Sequence, residues 1–216
     1  MGGNYYGGAF VDYGTLRLTE TSPVQSFDEP FTVAEIKTFL NLNNFDLAED
    51  DLLTQFIVAA REQAEIYQGR DLVQKQFDLA YDYWPTYRIP LRAPLVSVDL
   101  VRYRDSSGDY TTLVEDTNYI VDSSRSPGII SPPSGDSWPS FDPWPSSALL
   151  IRYTAGLAST DAWWADSGAR IKIGMKMLIS HWYGPGRMAF SETGAISEFP
   201  FTITHLLSQG SIPRVR

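Results

Sequence analysis

Apolar residues recur at intervals of three and four through the stretch 46–69, where Leu53, Phe56, Ile57, Ala60, Ala64 and Tyr67 fall on one stripe of a 3.6-residue period. The pattern predicts a long amphipathic helix with one face to bury. Asp46 is placed to cap its start and Glu49 to complete a capping box. Glu49, Asp50 and Asp51 fall in the first turn, where the helix dipole favours anions by on the order of 0.3–1 kcal/mol each. That role accounts for the acidic triplet without a metal. Gly69 supplies a left-handed stop. A shorter helix, about 32–42, starts at a second capping box, Thr32-Val-Ala-Glu35, and its apolar side is Val33, Ile36, Phe39 and Leu40. The Asn-rich turn 41–44 makes the two a helical hairpin.

Beyond Gly69 the period drops to two. Phe77, Leu79, Tyr81 and Tyr83 alternate with polar residues, as do Val96, Val98 and Leu100. Tyr110 to Val114, Tyr119-Ile-Val-Asp, Gly128-Ile-Ile and Leu149-Leu-Ile-Arg-Tyr complete a β-rich insertion over about 75–155, expected as an antiparallel meander or small barrel. Pro85, Pro90 and Pro94 interrupt it, and five prolines between Ser131 and Ser147 exclude regular structure there. Trp138, Phe141 and Trp144 in that loop need cover from the sheet or from a partner. Helical spacing returns in Ile171, Met175, Leu178 and Trp182, predicting a helix over 168–183, and Thr202 to Leu207 adds a turn or two.

The fold class that follows is α+β: a helical hairpin and a late helix forming a small bundle, with an antiparallel β-rich insertion. Residues 31–210 form a single domain. Residues 1–30 read as an arm in which glycines interleave with Tyr5, Tyr6, Phe10 and Tyr13, able to lie on a neighbouring molecule or on its own chain. Thr15-Leu-Arg-Leu-Thr within it suits a short strand. Residues 211–216 are a basic tail.

Composition removes several classes of function. Of 216 residues 43% are hydrophobic, enough for a sizeable core. Cysteine is absent, which excludes disulfides, thiolate metal sites and a cysteine nucleophile. No signal-peptide pattern or membrane-length apolar run is seen, so a soluble chain used without export is expected. A net charge of −9 argues against a protein that grips nucleic acid, though not against DNA passing nearby.

Candidate chemistry is sparse. His181 and His205 are the only histidines, and no zinc-protease, phosphate-loop or nucleophile-elbow motif occurs. Asp78, Asp82 and Asp99 beside strand aromatics could form a glycosidase pair, but alternation puts them on a solvated face. The turn Asp105-Ser-Ser-Gly-Asp109 lacks the later acidic ligand of a calcium loop. No catalytic residue, metal or cofactor is therefore expected.

The order of elements carries a resemblance. Phe31-Thr-Val-Ala-Glu-Ile-Lys-Thr-Phe-Leu, Asp50-Asp-Leu-Leu and the run from Ile57 to Arg70 resemble the opening of phage head-tail connector proteins, the adaptor family found also in prophages and gene transfer agents. Pro90-Leu-Arg-Ala-Pro-Leu-Val-Ser-Val, Ile151-Arg-Tyr-Thr-Ala-Gly, His181-Trp-Tyr and Leu206-Leu are similar to later parts of that pattern. The chain departs from it in a longer arm, an enlarged Trp-Pro loop, and Trp163-Trp-Ala-Asp-Ser-Gly in place of a proline-led helix start.

The resemblance implies a structural part of the virion neck, assembled in the host cytoplasm. It implies a ring of about twelve copies closed by head-to-tail contacts. Its partners would be the portal protein and the next neck or tail component, a stopper, tail terminator or nozzle. DNA would pass through the channel without sequence-specific binding, and no membrane is involved. Carried onto this chain, the portal-docking element is Ile212, Pro213, Arg214, Val215 and Arg216. Tyr5, Tyr6, Phe10, Tyr13, Trp138, Phe141 and Trp144 are the candidate contacts with neighbours or partners. The alternative, from the residues alone, is a carbohydrate-binding phage or tail accessory module using Trp138, Trp144 and the strand tyrosines.

Overall fold

The computed structural model describes residues 15–18, 29–43, 47–85, 87–184 and 201–212. In chain order these form β1 (Thr15–Leu18), α1 (Val33–Phe39), α2 (Asp50–Gln68), β2 (Lys75–Tyr81), β3 (Ile89–Pro90), β4 (Leu95–Arg104), β5 (Tyr110–Leu113), β6 (Ile120–Asp122), β7 (Ile129–Ser131), β8 (Leu149–Ala155), a 3-10 turn at Ala162–Trp164, α3 (Ala169–Tyr183) and α4 (Phe201–Ser208). The α+β architecture is as expected, a helical layer plus two small antiparallel sheets.

The start of α1 is the capping box read from its sequence. Glu35 N–H donates to the Thr32 hydroxyl at 3.3 Å, and Thr32 N–H donates to the Glu35 carboxylate at 2.7 Å. The longer helix begins later than its acidic run suggests. Glu49 occupies the N-cap without a side-chain cap bond, and Asp46 lies outside the described residues. Tertiary partners account for the difference: the Glu49 carboxylate accepts the Tyr183 hydroxyl of α3, and Asp50 pairs with Lys37 of α1. The far end stops as predicted, at Gly69 with φ of 69°.

The predicted stripe of α2 is the floor of the helical core. Leu53, Ile57, Ala60 and Ala64 are buried against Ile36, Ile171, Met175, Leu178 and Leu207, while Phe56 and Tyr67 lie at its margin. Burial of each large aliphatic chain is worth about 1.5–3 kcal/mol. Helices α3 and α4 approach closely at Gly174, where a Cβ would meet Leu207 at 2.9 Å.

Strand order departs from a meander or barrel. The larger sheet runs β1-β2-β8-β4-β5 and the smaller β3-β7-β6. The last strand of the insertion thus lies between its first strand and β4, with Lys75 opposite Ala155 and Leu95 opposite the same Ala155. Two features favour this. Leu149, Ile151, Tyr153 and Ala155 bury one full face of β8, which suits a strand paired on both edges. The prolines at 85, 90 and 94 keep the β2–β4 connection from closing as a hairpin. Tyr83, expected in the strand pattern, falls beyond the end of β2.

The insertion leaves and rejoins the helical layer at one seam. Gly156, with φ of 119°, lies so close to β2's approach that a Cβ would meet the Val73 carbonyl oxygen at 2.0 Å. A buried chain of alternating charges runs along this seam. Arg61 bonds Glu29 at 3.0 Å and Glu65 at 3.2 Å, Glu65 takes the Lys75 ammonium at 2.7 Å, and Asp71 takes Arg92 at 2.6 Å. Glu65 also accepts the Leu72 N–H at 3.0 Å. Burial raises the Glu29 carboxyl against the opposing pull of Arg61. Lys75, Asp71 and Arg61 are all buried.

Candidate functional site

Two places on the chain hold the residues singled out by sequence: the root of the carboxyl tail and an aromatic cleft on the sheets. At the tail root, α4 ends against the end of α2. The buried Gln68 amide donates to the Leu207 carbonyl and, at 3.0 Å, to that of Gln209. Arg70 donates to the Gly210 carbonyl at 2.7 Å and Arg170 to that of Gln209 at 3.3 Å. Ile212 N–H then donates to the Gln68 carbonyl at 2.9 Å.

These bonds collect the free carbonyls of the α4 carboxyl end, and cations there suit the helix dipole. Gly210 is left-handed at φ of 72°, and a Cβ on it would meet the Arg170 guanidinium at 2.8 Å. Burial and the neighbouring Arg170 charge lower the Arg70 pKa. Arg70 also lies 5.3 Å from the Trp163 ring, so the unexpected Trp163-Trp segment supports the tail root. Of the predicted docking tail, Ile212 is thus fixed in place, and Pro213, Arg214, Val215 and Arg216 lie outside the described residues.

The Trp-Pro loop folds back over the sheet. Trp138 stacks on Trp84 at 4.2 Å with the rings 7° from parallel, and Phe141 stacks on Tyr103 of β4 at 4.4 Å. Trp144 lies apart from them, under the Arg104 guanidinium at 3.8 Å. Trp138 and Phe141, with Tyr83, Trp84, Tyr87 and Pro139, line an open cleft of about 500 Å³. Sequence reading missed Trp84 and Tyr87; their signal was an aromatic cluster in the proline-interrupted stretch after β2. Tyr5, Tyr6, Phe10 and Tyr13 lie outside the described residues.

The remaining chemical candidates have structural partners. Asp78 is buried rather than solvated, a correction to the alternation rule: both its oxygens accept Arg152, at 2.7 and 2.9 Å. Pairing with a guanidinium across the strands is what makes burial tolerable. Asp99 accepts from Gln76, Ser97 and Thr154, and Asp82 from the Ser147 N–H. Asp105 closes its own turn, accepting from Ser107 and Asp109 N–H. Among the described residues no cluster of three or more acidic or histidine side chains could hold a metal ion. No described helix is long and apolar enough to cross a membrane.

Comparison with known proteins bears on this arrangement. Residues 31–102, from α1 into β4, match the family model of the phage gp6-like head-tail connector protein. The match agrees with the resemblance read from the order of elements. No curated protein matches the chain by sequence. Among solved structures, a chain from the neck of the empty gene transfer agent (GTA) particle, computed with C6 symmetry, is 22% identical with a TM-score of 0.67. The similarity covers 91% of this chain and 95% of that one. A chain of the native GTA virion is 19% identical with a TM-score of 0.65, covering 91% and 94%. A third, from the native GTA neck computed with C12 symmetry, is 22% identical with a TM-score of 0.62, covering 91% and 94%. At these identities the likeness is one of fold, and it extends well beyond the span of the family match.

Proposed function

We propose that this chain is a structural head-tail connector of a tailed phage or related particle. It sits at the virion neck as a ring under the portal, extends the DNA channel and presents a surface to the next neck or tail component. The observation that carries this reading is the family match over the hairpin and first strands, within a fold that covers nearly all of a GTA neck chain. The C6 and C12 symmetries under which those necks were computed support a ring assembly. A net charge of −9 suits a channel that DNA slides through, because phosphate affinity follows charge neutralisation.

The tail from Ile212 to Arg216 is the portal-docking element in this reading. Its root is held rigidly by Gln68, Arg70 and Arg170, which presents the segment in a fixed direction and lowers the ordering cost of docking. Light scattering or native mass spectrometry of the purified chain, alone and mixed with portal rings, tests this. Full-length protein should assemble into rings only with portal, and a chain ending at Gly210 should not. A full-length monomer indifferent to portal overturns the proposal.

A further inference from the structure

The aromatic cleft lies at one end of the larger sheet. There β2 stops, β8 starts and β4 runs out, since Tyr81 and Tyr103 both pair with Leu149. β1 enters the sheet at that same end. It runs antiparallel to β2, and its first residue, Thr15, sits opposite Ala80, three positions before Tyr83 in the cleft wall. The chain that precedes Thr15 therefore joins β1 at the end of the sheet where the cleft lies.

Reach and chemistry agree with that placement. At about 3.3 Å per extended residue, Tyr13 and Phe10 come within roughly 7 and 17 Å of the start of β1. The polar edges of the wall are already engaged by its own backbone: Trp84 donates to the Pro139 carbonyl at 3.0 Å, Trp138 to that of Tyr87 at 3.1 Å, and Tyr87 to that of Pro133 at 3.3 Å. What faces the cleft is mainly ring and proline surface, with Ser137 and Ser140 between the rings and Tyr83 58% and Tyr87 47% exposed. Such a wall suits aromatic rings packed edge or face on, whereas a sugar needs directed hydrogen-bonding groups. Glycines at 7, 8 and 14 let a backbone follow the wall closely.

We propose that this cleft is the seat of the chain's own amino-terminal arm, with Phe10 and Tyr13 as the rings that fill it. The seat caps the open end of the sheet and fixes the arm beside β1, on its own protomer instead of on a neighbour. This holds whether or not the chain docks on a portal.

The absence of native cysteine allows a direct test. Phe10→Cys is combined with Ser140→Cys in the cleft wall, or with Asp166→Cys in the turn before α3 as a control, and each full-length chain is treated at micromolar dilution with a short bismaleimide. Intact mass should show intramolecular crosslinking several-fold more efficient for the Ser140 pair than for the control. Equal yields overturn the proposal, and so does crosslinking chiefly between two chains. Phe10→Ala with Tyr13→Ala should also increase acrylamide quenching of tryptophan emission. A soluble oligosaccharide that changes that emission in the unaltered chain, while the double variant changes nothing, would overturn the proposal in favour of a glycan site.

Discussion

In the helical layer and its seam, charged side chains turn inward beside the buried rings of Phe31 and Trp164, with Phe56, Tyr67 and Trp182 at the margin; at the open end of the sheets, rings gather on the surface. The two regions are therefore sensitive to different losses. A seam of buried charges depends on every member, because removing one leaves another desolvated and unpaired. A surface stack of rings depends on local contacts, so its loss stays local. Firmness at the seam and adaptability at the rim suit a part that keeps its shape while its edges meet other chains.

The largest expected effect breaks the seam. Glu65→Ala takes one carboxylate from Arg61, which keeps Glu29, removes the nearest carboxylate from Lys75, whose next, Asp71, is at 3.8 Å, and leaves the Leu72 N–H without its acceptor, costing about 3–5 kcal/mol. In denaturant titrations the far-ultraviolet signal and tryptophan emission should coincide in the native chain and separate in this variant. Coincident transitions with little loss would mean that packing alone joins the two regions. Leu53→Ala, in the fully buried helical core, should cost about 2–5 kcal/mol with m unchanged, measured the same way.

Trp138→Ala sharpens the contrast from the other side. Losing the stack on Trp84 should cost about 0.5–1.5 kcal/mol beyond the buried area, with amide exchange rising in the 84–90 and 132–143 segments and not in α2. Thr32→Ala removes one half of a capping box and should lower the stability of the helical layer by about 1 kcal/mol in the same titrations.

The smallest effect is one of pH. The Ser107 hydroxyl and then the Asp109 N–H hold Asp105 below its ordinary carboxylate value, and the Ser124 hydroxyl does the same for Asp122. A depressed folded-state pKa means stabilisation that is present above the ordinary value of 3.8 and lost as pH falls through the lowered one. Urea midpoints should therefore fall slightly more steeply on acidification in the native chain than in Asp105→Ala. Parallel curves would show that the turn bonds survive protonation.

The residues differ in how much of this they disclose in sequence. The α2 stripe and the Gly69 stop were legible because period and stop chemistry are local. So was the alternation of β8, but not its place between β2 and β4, since partner choice among strands is a long-range matter. The start of α2 was misplaced because Asp46 and Glu49 look like a capping box, whereas the helix starts at Asp50 and the Glu49 carboxylate is engaged by Tyr183, a residue far away in the chain. Asp78 read as a charge on a solvated face because burial depends on a partner, here Arg152, that composition does not name. At the candidate sites, the rings of the Trp-Pro loop were visible as residues in need of cover. Trp84 as the cover was not.

The grip on the tail root has a mechanical consequence. Carbonyls at 207, 209 and 210 and the N–H of 212 are each tied to Gln68, Arg70 or Arg170, so a pull on whatever the tail holds is shared among several bonds at once. Through Gln68 the load passes into the last turn of a 19-residue helix, a strut of about 28 Å at 1.5 Å per residue, and through Arg170 into the first turn of α3. Strain arriving at the tail root would then be spread along the longest helix among the described residues before it reached the sheets.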